Sequence, residues 1–288
     1  MRFSLRLPIL TAGALALVLT GCDAADSDVP ADDAALTVNE DAAVVVANAL
    51  ALDAGGALDA VAQAAAEADP SGARLSDPGC TFVRDFDAST FVWTAAAECE
   101  RGDAEGAYYA AYSRERTFAF ADADGQPVAA PENAASVDVE LVSGTGIRRS
   151  PRFTHTLDAL SGALSVTGLN DGDGLVTTNG LYSRSATDTV QHRGRTRTVA
   201  STLDLVLDDL TGPSARRADW RRSVSGTISG TVEGEVTFEG PRGYSERTFE
   251  RAFTVTFGED GGEQVARIAI GGETFLADVE TGTLRSLE

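Results

Sequence analysis

The sequence predicts a mainly β fold: one large curled antiparallel sheet, a barrel or half-barrel, with a short N-terminal helical segment. Three observations carry this. From residue 80 onward, apolar residues recur at every second position, the period of a strand with one face buried. Gly- and Asp-rich turn signals separate many of these runs, as they do in hairpins. Residues 39–70 instead carry a helical spacing. A chain of 288 residues is long enough for one large β domain or two small ones behind an N-terminal segment.

Residues 1–21 read as a signal peptide. Arg2 and Arg6 form a short positive start, and an apolar run from Leu7 to Leu19 follows. That run is too short to cross a bilayer as a helix, which takes about 20 residues. The next residues, Leu19-Thr20-Gly21-Cys22, resemble the lipobox of bacterial lipoproteins. The resemblance covers only this N-terminus. It implies cleavage before Cys22, then a diacylglyceryl thioether and an N-acyl chain on Cys22. It also implies export and anchorage in the cell envelope, at the outer membrane rather than the inner. Several acyl chains matter, because one chain at ~0.8 kcal/mol per buried CH₂ holds only marginally.

Residues 22–38 are rich in Asp and Ala, contain one proline and have no period. They read as a flexible tether. Helical spacing begins at 39, with Asn39 as N-cap and with Glu40 and Asp41 at the positive end of the helix dipole. Apolar or small residues recur at Val45, Ala49 and Leu52, then at Leu58, Val61 and Ala65. Gly55-Gly56 divides the segment into two helices and Pro70 ends it. The pattern predicts helices packed on a sheet, with a lid over a cavity as the alternative.

Residues 80–288 form the predicted β domain. The clearest run is Ser223–Glu239. Val224, Gly226, Ile228, Gly230, Val232, Gly234, Val236 and Phe238 share one face, and Ser, Thr and Glu hold the other. Glycines at alternate inward positions let a sheet curve or let another layer approach. Ten or more mostly sequential runs of this kind indicate one curled sheet. A transmembrane barrel also alternates, but the lipobox, the helical segment and the uneven runs argue against it. Tyr112-Ser113-Arg114-Glu115-Arg116-Thr117-Phe118 echoes Tyr244-Ser245-Glu246-Arg247-Thr248-Phe249, with Tyr182-Ser183-Arg184 as a partial third copy.

Cys80 and Cys99 flank two such runs. If they face each other in an antiparallel hairpin, Phe82 faces Ala97, Arg84 faces Ala95 and Phe86 faces Trp93. That register also gathers Phe82, Phe86, Phe91 and Trp93 on one face. One register thus satisfies both a disulfide and the apolar pattern. An exported compartment permits the bridge, and without a CxxC motif its role is structural.

The formal charge is −21, and removing Arg2 and Arg6 with the signal takes it to −23. A phosphate backbone would repel such a surface, so nucleic acid is excluded as a partner. No catalytic constellation emerges, and the expected role is non-catalytic, with no cofactor and no metal. His155 lies in an alternating run with Phe153 and Leu157 and reads as core or core edge; His192 reads as exposed. The Asp122/Asp124 and Asp171/Asp173 pairs read as turns rather than calcium loops, which need a later glutamate. Arg193, Arg195 and Arg197, with Arg216, Arg217, Arg221 and Arg222 around Trp220, stand out on an acidic chain. They form a candidate patch for an anion or partner, set against the plainer reading of a solvated, ion-paired loop.

A half-barrel with a helical lid on an acyl anchor resembles β-rich envelope lipoproteins, including periplasmic lipid or lipoprotein carriers. The resemblance implies an apolar ligand on the concave face or a supporting role among envelope proteins. The alternatives are an adhesion or scaffold module that presents loops to a protein or glycan, and, more remotely, a hydrolase. A carrier predicts a large apolar cavity on the concave face, and a scaffold predicts a filled interior.

Overall fold

Strand β9 (Ser225–Gly240) shows how the alternation builds the sheet. Val224, just before it, and Ile228, Val232 and Val236 within it are buried, while Glu233 is exposed. Each fully buried aliphatic side chain contributes about 1.5–3 kcal/mol. Gly234 has the same inward phase, and a side chain there would overlap the ring of Phe249 on the next strand. The glycine therefore makes room for the aromatic.

The computed structural model describes residues 36–52, 55–67, 79–171, 174–214, 217–241, 243–260 and 263–285. Cys22, Pro70 and the expected tether up to residue 35 lie outside them. The described residues carry two N-terminal helices, α1 (Val38–Leu50) and α2 (Ala57–Glu67). Then come β1 (Cys80–Asp87), β2 (Val92–Gly102), β3 (Tyr109–Ala121), the short β4 (Pro127–Val128), β5 (Ser136–Arg149), β6 (Phe153–Thr167), β7 (Leu175–His192) and β8 (Arg195–Pro213). A short helix α3 (Arg217–Ser223) precedes β9, and β10 (Gly243–Asp260), β11 (Glu263–Ile270), β12 (Glu273–Asp278) and β13 (Leu284–Arg285) complete the fold.

Among the described residues these strands form one antiparallel sheet of thirteen, ordered as a meander, with β4 beside β3. The order ends at β1 on one side and β13 on the other, so the sheet is not closed. Of the two expected forms, the half-barrel holds and the closed barrel does not. Register shifts at Glu115/Arg116, Leu157/Ala159, Thr178/Gly180 and Asp208/Thr211 mark bulges. Bulges bend the bulged strand and increase its twist, which curls a sheet this wide. Each also resets the alternation, so paired exposed positions such as Asp158-Ala159 and Asp208-Asp209 stand where one would be expected.

The sheet wraps the two helices. Helix α1 packs on β8 to β13, and α2 on β5, β6 and β7. Nearly every residue of α2 and most of α1 are buried. Helices apolar on all sides belong in an interior, and here they fill the concave face. The break between them falls at Gly55-Gly56, where the spacing placed it. The cap does not fall at Asn39. Thr37 caps α1 through a capping box, its hydroxyl accepting from the Glu40 N–H at 3.2 Å while Glu40 accepts from the Thr37 N–H at 2.6 Å. A Thr-x-x-Glu pair satisfies two otherwise unpaired donors at once, whereas Asn39 turns toward the sheet.

In the β1–β2 hairpin the predicted register is observed: Cys80 faces Cys99, Phe82 faces Ala97, Arg84 faces Ala95 and Phe86 faces Trp93. The disulfide is formed across a Cα–Cα distance of 4.0 Å. Asp87 shapes the turn by accepting from the Ser89 N–H at 2.8 Å. The expected apolar face is present but only partly covered. Phe86, Trp93, Phe118 and Phe120 continue one another in an aromatic chain, while Phe82 is 54 % exposed.

Candidate functional site

The inner face holds paired charges. Among the described residues, five arginines on the inward phase of their strands meet carboxylates carried by the helices, and Arg251 of β10 donates to Asn39 of α1 at 3.0 Å. Asp41 of α1 is fully buried and accepts from both Arg197 of β8 and Arg247 of β10. Arg247 also donates to the Leu36 carbonyl at 2.7 Å. Asp59 of α2 accepts from Arg114 of β3 at 3.1 Å, and Glu67 pairs with Arg116 of β3 and with Arg84 of β1, the latter at 3.1 Å. Arg84 in turn lies over the rings of Trp93 and Phe118, 4.5 and 4.4 Å from their centroids.

Burial pushes the Asp41 carboxyl above the usual carboxylate range, and the two guanidinium groups pull it back only in part. A buried ion pair adds little net stability, but removing one partner strands the other charge in a low-dielectric interior. These pairs therefore fix the position of the helices more than they add stability. Another inward arginine, Arg184 of β7, is buried and donates to His155 Nε2 at 3.2 Å; His155 Nδ1 lies 2.6 Å from the Asp188 carboxylate. With Nε2 accepting, the ring proton sits on Nδ1 and faces Asp188. The imidazole thus links two charged groups, and its lone pair is held by Arg184 rather than by a nucleophile. Beneath them Tyr182 is buried, and burial raises its hydroxyl pKa against the opposing pull of Arg184.

The expected arginine patch is not one surface. Arg193 and Arg195 are exposed in the β7–β8 turn, whereas α3 follows the other end of β8. A strand of 19 residues at ~3.3 Å each separates the two groups by about 60 Å. Arg197 is the buried partner of Asp41. Trp220 is 1 % exposed, and its ring covers Gly212, where any side chain would overlap it. It cannot stack on a partner. Arg221 pairs with Glu280 at 2.8 Å, Arg222 is exposed, and Arg216 and the Arg217 side chain lie outside the described residues. His192 is exposed and His155 half-buried, as their sequence surroundings indicate.

Asp122 accepts from the N–H groups of Asp124 and Gln126 at 2.9 and 2.8 Å, closing a turn. Asp173 lies outside the described residues. Among the described residues no group of three or more metal-ligating side chains comes together, and no helix is long and apolar enough to cross a membrane.

The outward face carries a shallow groove of about 560 Å³ across β2, β3, β5, β6 and β7. Small residues Ala119, Ala163 and Ser165 form its floor, with Asp138, Glu140 and Asn179 exposed around them. The register explains the shape: Thr117, Glu140 and Ala163 lie in one cross-strand row, and Ala119, Asp138 and Ser165 in the next. Asp138 and Glu140, two residues apart on one strand face, stand about 7 Å apart. The groove offers hydrogen-bond acceptors and an amide above a low apolar floor.

The inward arginines escaped the sequence reading, yet a signal was present. Arg114 and Arg116 share the phase of Phe118 and Phe120, and Arg247 that of Phe249 and Phe253. An arginine on the apolar phase of a strand implies a buried acid opposite it, and Asp41 and Asp59 stand among alanines and valines in the helices. The Arg-Thr-Phe echo has the same meaning: in both copies the arginine points at a helix and the phenylalanine two residues on is buried.

No family model, no curated protein and no solved structure matches this chain.

Proposed function

We propose that this protein is a non-catalytic, membrane-anchored envelope lipoprotein whose curled sheet supports envelope structure instead of carrying an apolar ligand. The observation behind the choice is the occupied concave face: α1 and α2 lie where a carried ligand would lie, pinned by Asp41, Asp59 and Glu67 to inward arginines. Opening that space would strand at least one buried charge, at about 3–5 kcal/mol per broken pair. The resemblance at Cys22 supports the anchor.

The test is mass spectrometry of the full chain after export from a bacterial host, under denaturing and then native conditions. The expected result is cleavage before Cys22, acyl chains on Cys22, a mass two hydrogens below the reduced value and no co-purified ligand. A stoichiometric apolar ligand would restore the carrier reading. The outward groove favours a second reading, a module that presents this face to a glycan partner, since its carboxylates and amide suit hydroxyl groups. Glycan-array binding lost in Asp138→Asn with Glu140→Gln would support that reading.

A further inference from the structure

We infer that β1 is a pairing edge: a second copy of this chain sets its own β1 antiparallel against it, so that two sheets join into one. The inference goes beyond the supporting role proposed above and does not depend on the lipid anchor. It draws on how the two ends of the sheet differ, on which backbone groups of β1 point outward and on the order of its side chains.

Among the described residues no strand lies beyond β1 or beyond β13. A sheet edge is a row of unpaired N–H and C=O groups, which proteins blunt with short strands, charge, proline or bulges. One end of this sheet is blunted: β13 is two residues long, and its Arg285 pairs with Asp278 at 3.2 Å. The other end is not. Strand β1 runs for eight residues without proline, lysine or a break in its register with β2. It leaves Phe82 and Val83 54 % and 62 % exposed.

The Glu100 N–H donates to the Gly79 carbonyl at 2.8 Å. Antiparallel pairs alternate between those that exchange backbone bonds and those that do not. The next pair, Cys80 with Cys99, is therefore of the second kind, in keeping with its Cα–Cα distance of 4.0 Å. Thr81, Val83 and Asp85 then bond to β2, while Cys80, Phe82, Arg84 and Phe86 turn their N–H and C=O groups to the open edge.

A copy that meets these groups is restricted in register, because a slip of one residue turns every side chain to the other face. A twofold axis at Arg84 sets Arg84 against Arg84, and one at Asp85 sets Asp85 against Asp85; like charges directly opposite are destabilising. An axis at Phe82 leaves Phe86 beyond the end of the facing strand. An axis at Val83 avoids all three faults. Val83 then faces Val83, Phe82 faces Arg84 and Thr81 faces Asp85. The carboxylate meets a hydroxyl, and the Arg84 guanidinium, already over Trp93 and Phe118, gains a further ring. The charge of −21 does not forbid the contact. Asp85 stands two strands, about 10 Å, from Glu98 of the second copy, and charges are screened beyond about 8 Å at physiological salt. In the dilute monomer Phe82 stays exposed, and only the dimer covers it.

The experiment takes the full exported chain in mild detergent at physiological salt. Native mass spectrometry follows it from nanomolar to micromolar concentration, and cysteine variants are analysed without reductant. The expected result is a dimer that grows with concentration. Val83→Cys converts most of that dimer to a covalent one, with peptide mapping placing the bridge at position 83 of both copies, since facing Cβ atoms stand about 5 Å apart. Thr81→Cys and Asp85→Cys do not cross-link alone and do so when mixed. Phe82→Pro loses the dimer but keeps the Cys80–Cys99 bridge, because the N–H it removes points to the open edge and not to β2. Wild-type protein that stays monomeric throughout the series overturns the inference. So does a Val83→Cys chain that cross-links no more than Thr81→Cys. Either outcome leaves the supporting role and the anchor standing.

Discussion

Strand β9 and the β1–β2 hairpin are made by the same alternating code and end in different states. In β9 the inward residues Ile228, Val232 and Val236 are buried under the helices. In the hairpin no residue of β1 and only Cys99 of β2 is buried. The difference is what lies above them. Helix α1 covers β8 to β13, whereas the hairpin meets the core through partly buried Trp93 and Ala95 and through the pair of Arg84 with Glu67 of α2. A hairpin without a covering layer is marginal in water. This one is held by a disulfide, an aromatic chain and a guanidinium over Trp93. One region is stabilised by burial, the other by staples.

The largest expected effect tests the buried side. Arg197→Ala leaves Asp41 inside with Arg247 as its remaining arginine, and denaturant unfolding should show a loss of about 3–5 kcal/mol. A loss below about 1 kcal/mol would mean that apolar contacts alone seat α1. Next, Cys80→Ser with Cys99→Ser removes a constraint worth about 3 kcal/mol in the chain-entropy model. Hydrogen exchange should speed up across residues 80–102 while β9 keeps its protection; equal loosening of β9 would erase the contrast between the two regions.

The opposite edge gives a smaller effect. Burial alone would raise the Asp278 pKa, but hydrogen bonds from Thr281, Arg285 and the Glu280 N–H bring it below the usual carboxylate range. A depressed carboxylate stabilises the fold fully above its unfolded pKa and loses that contribution as pH falls through the folded value. Acid titration of stability should therefore be flatter in Asp278→Asn, by less than about 1 kcal/mol because the site is largely solvated. Smallest of all, Phe82→Ser should change stability by no more than about 0.5 kcal/mol, as at other surface positions. A larger loss would place Phe82 under a cover that its exposure does not reveal.

These cases show what was legible. Alternation within a strand is local, so the faces of β9 and the Cys80–Cys99 register could be read directly. The break at Gly55-Gly56 was local too. Thr37 was missed because Asn39 is also a good cap, and only the sheet's demand on Asn39 decides between them. The arginine patch failed for a geometric reason: residues near in sequence across a long strand are far apart in space. Trp220 looked like an anchor until Gly212 supplied a seat for it, a pairing set by the packing of α3 on β8. The outward groove depends on the juxtaposition of small residues on several strands, which no single run reveals.

The wrapping of the sheet around α1 also sets an order of events. Consecutive hairpins pair neighbours in the chain and can form as soon as each turn is made. Helix α1 cannot dock that way, since Asp41 meets partners 156 and 206 residues downstream and Asn39 one 234 residues downstream. A ribosome delivers α1 first, and the strands that receive it come last. Such distant contacts slow folding because the loop must close before they reward it. Until β12 exists, helices α1 and α2 have no complete berth, so the interval between their synthesis and their docking is when the chain is most exposed to aggregation.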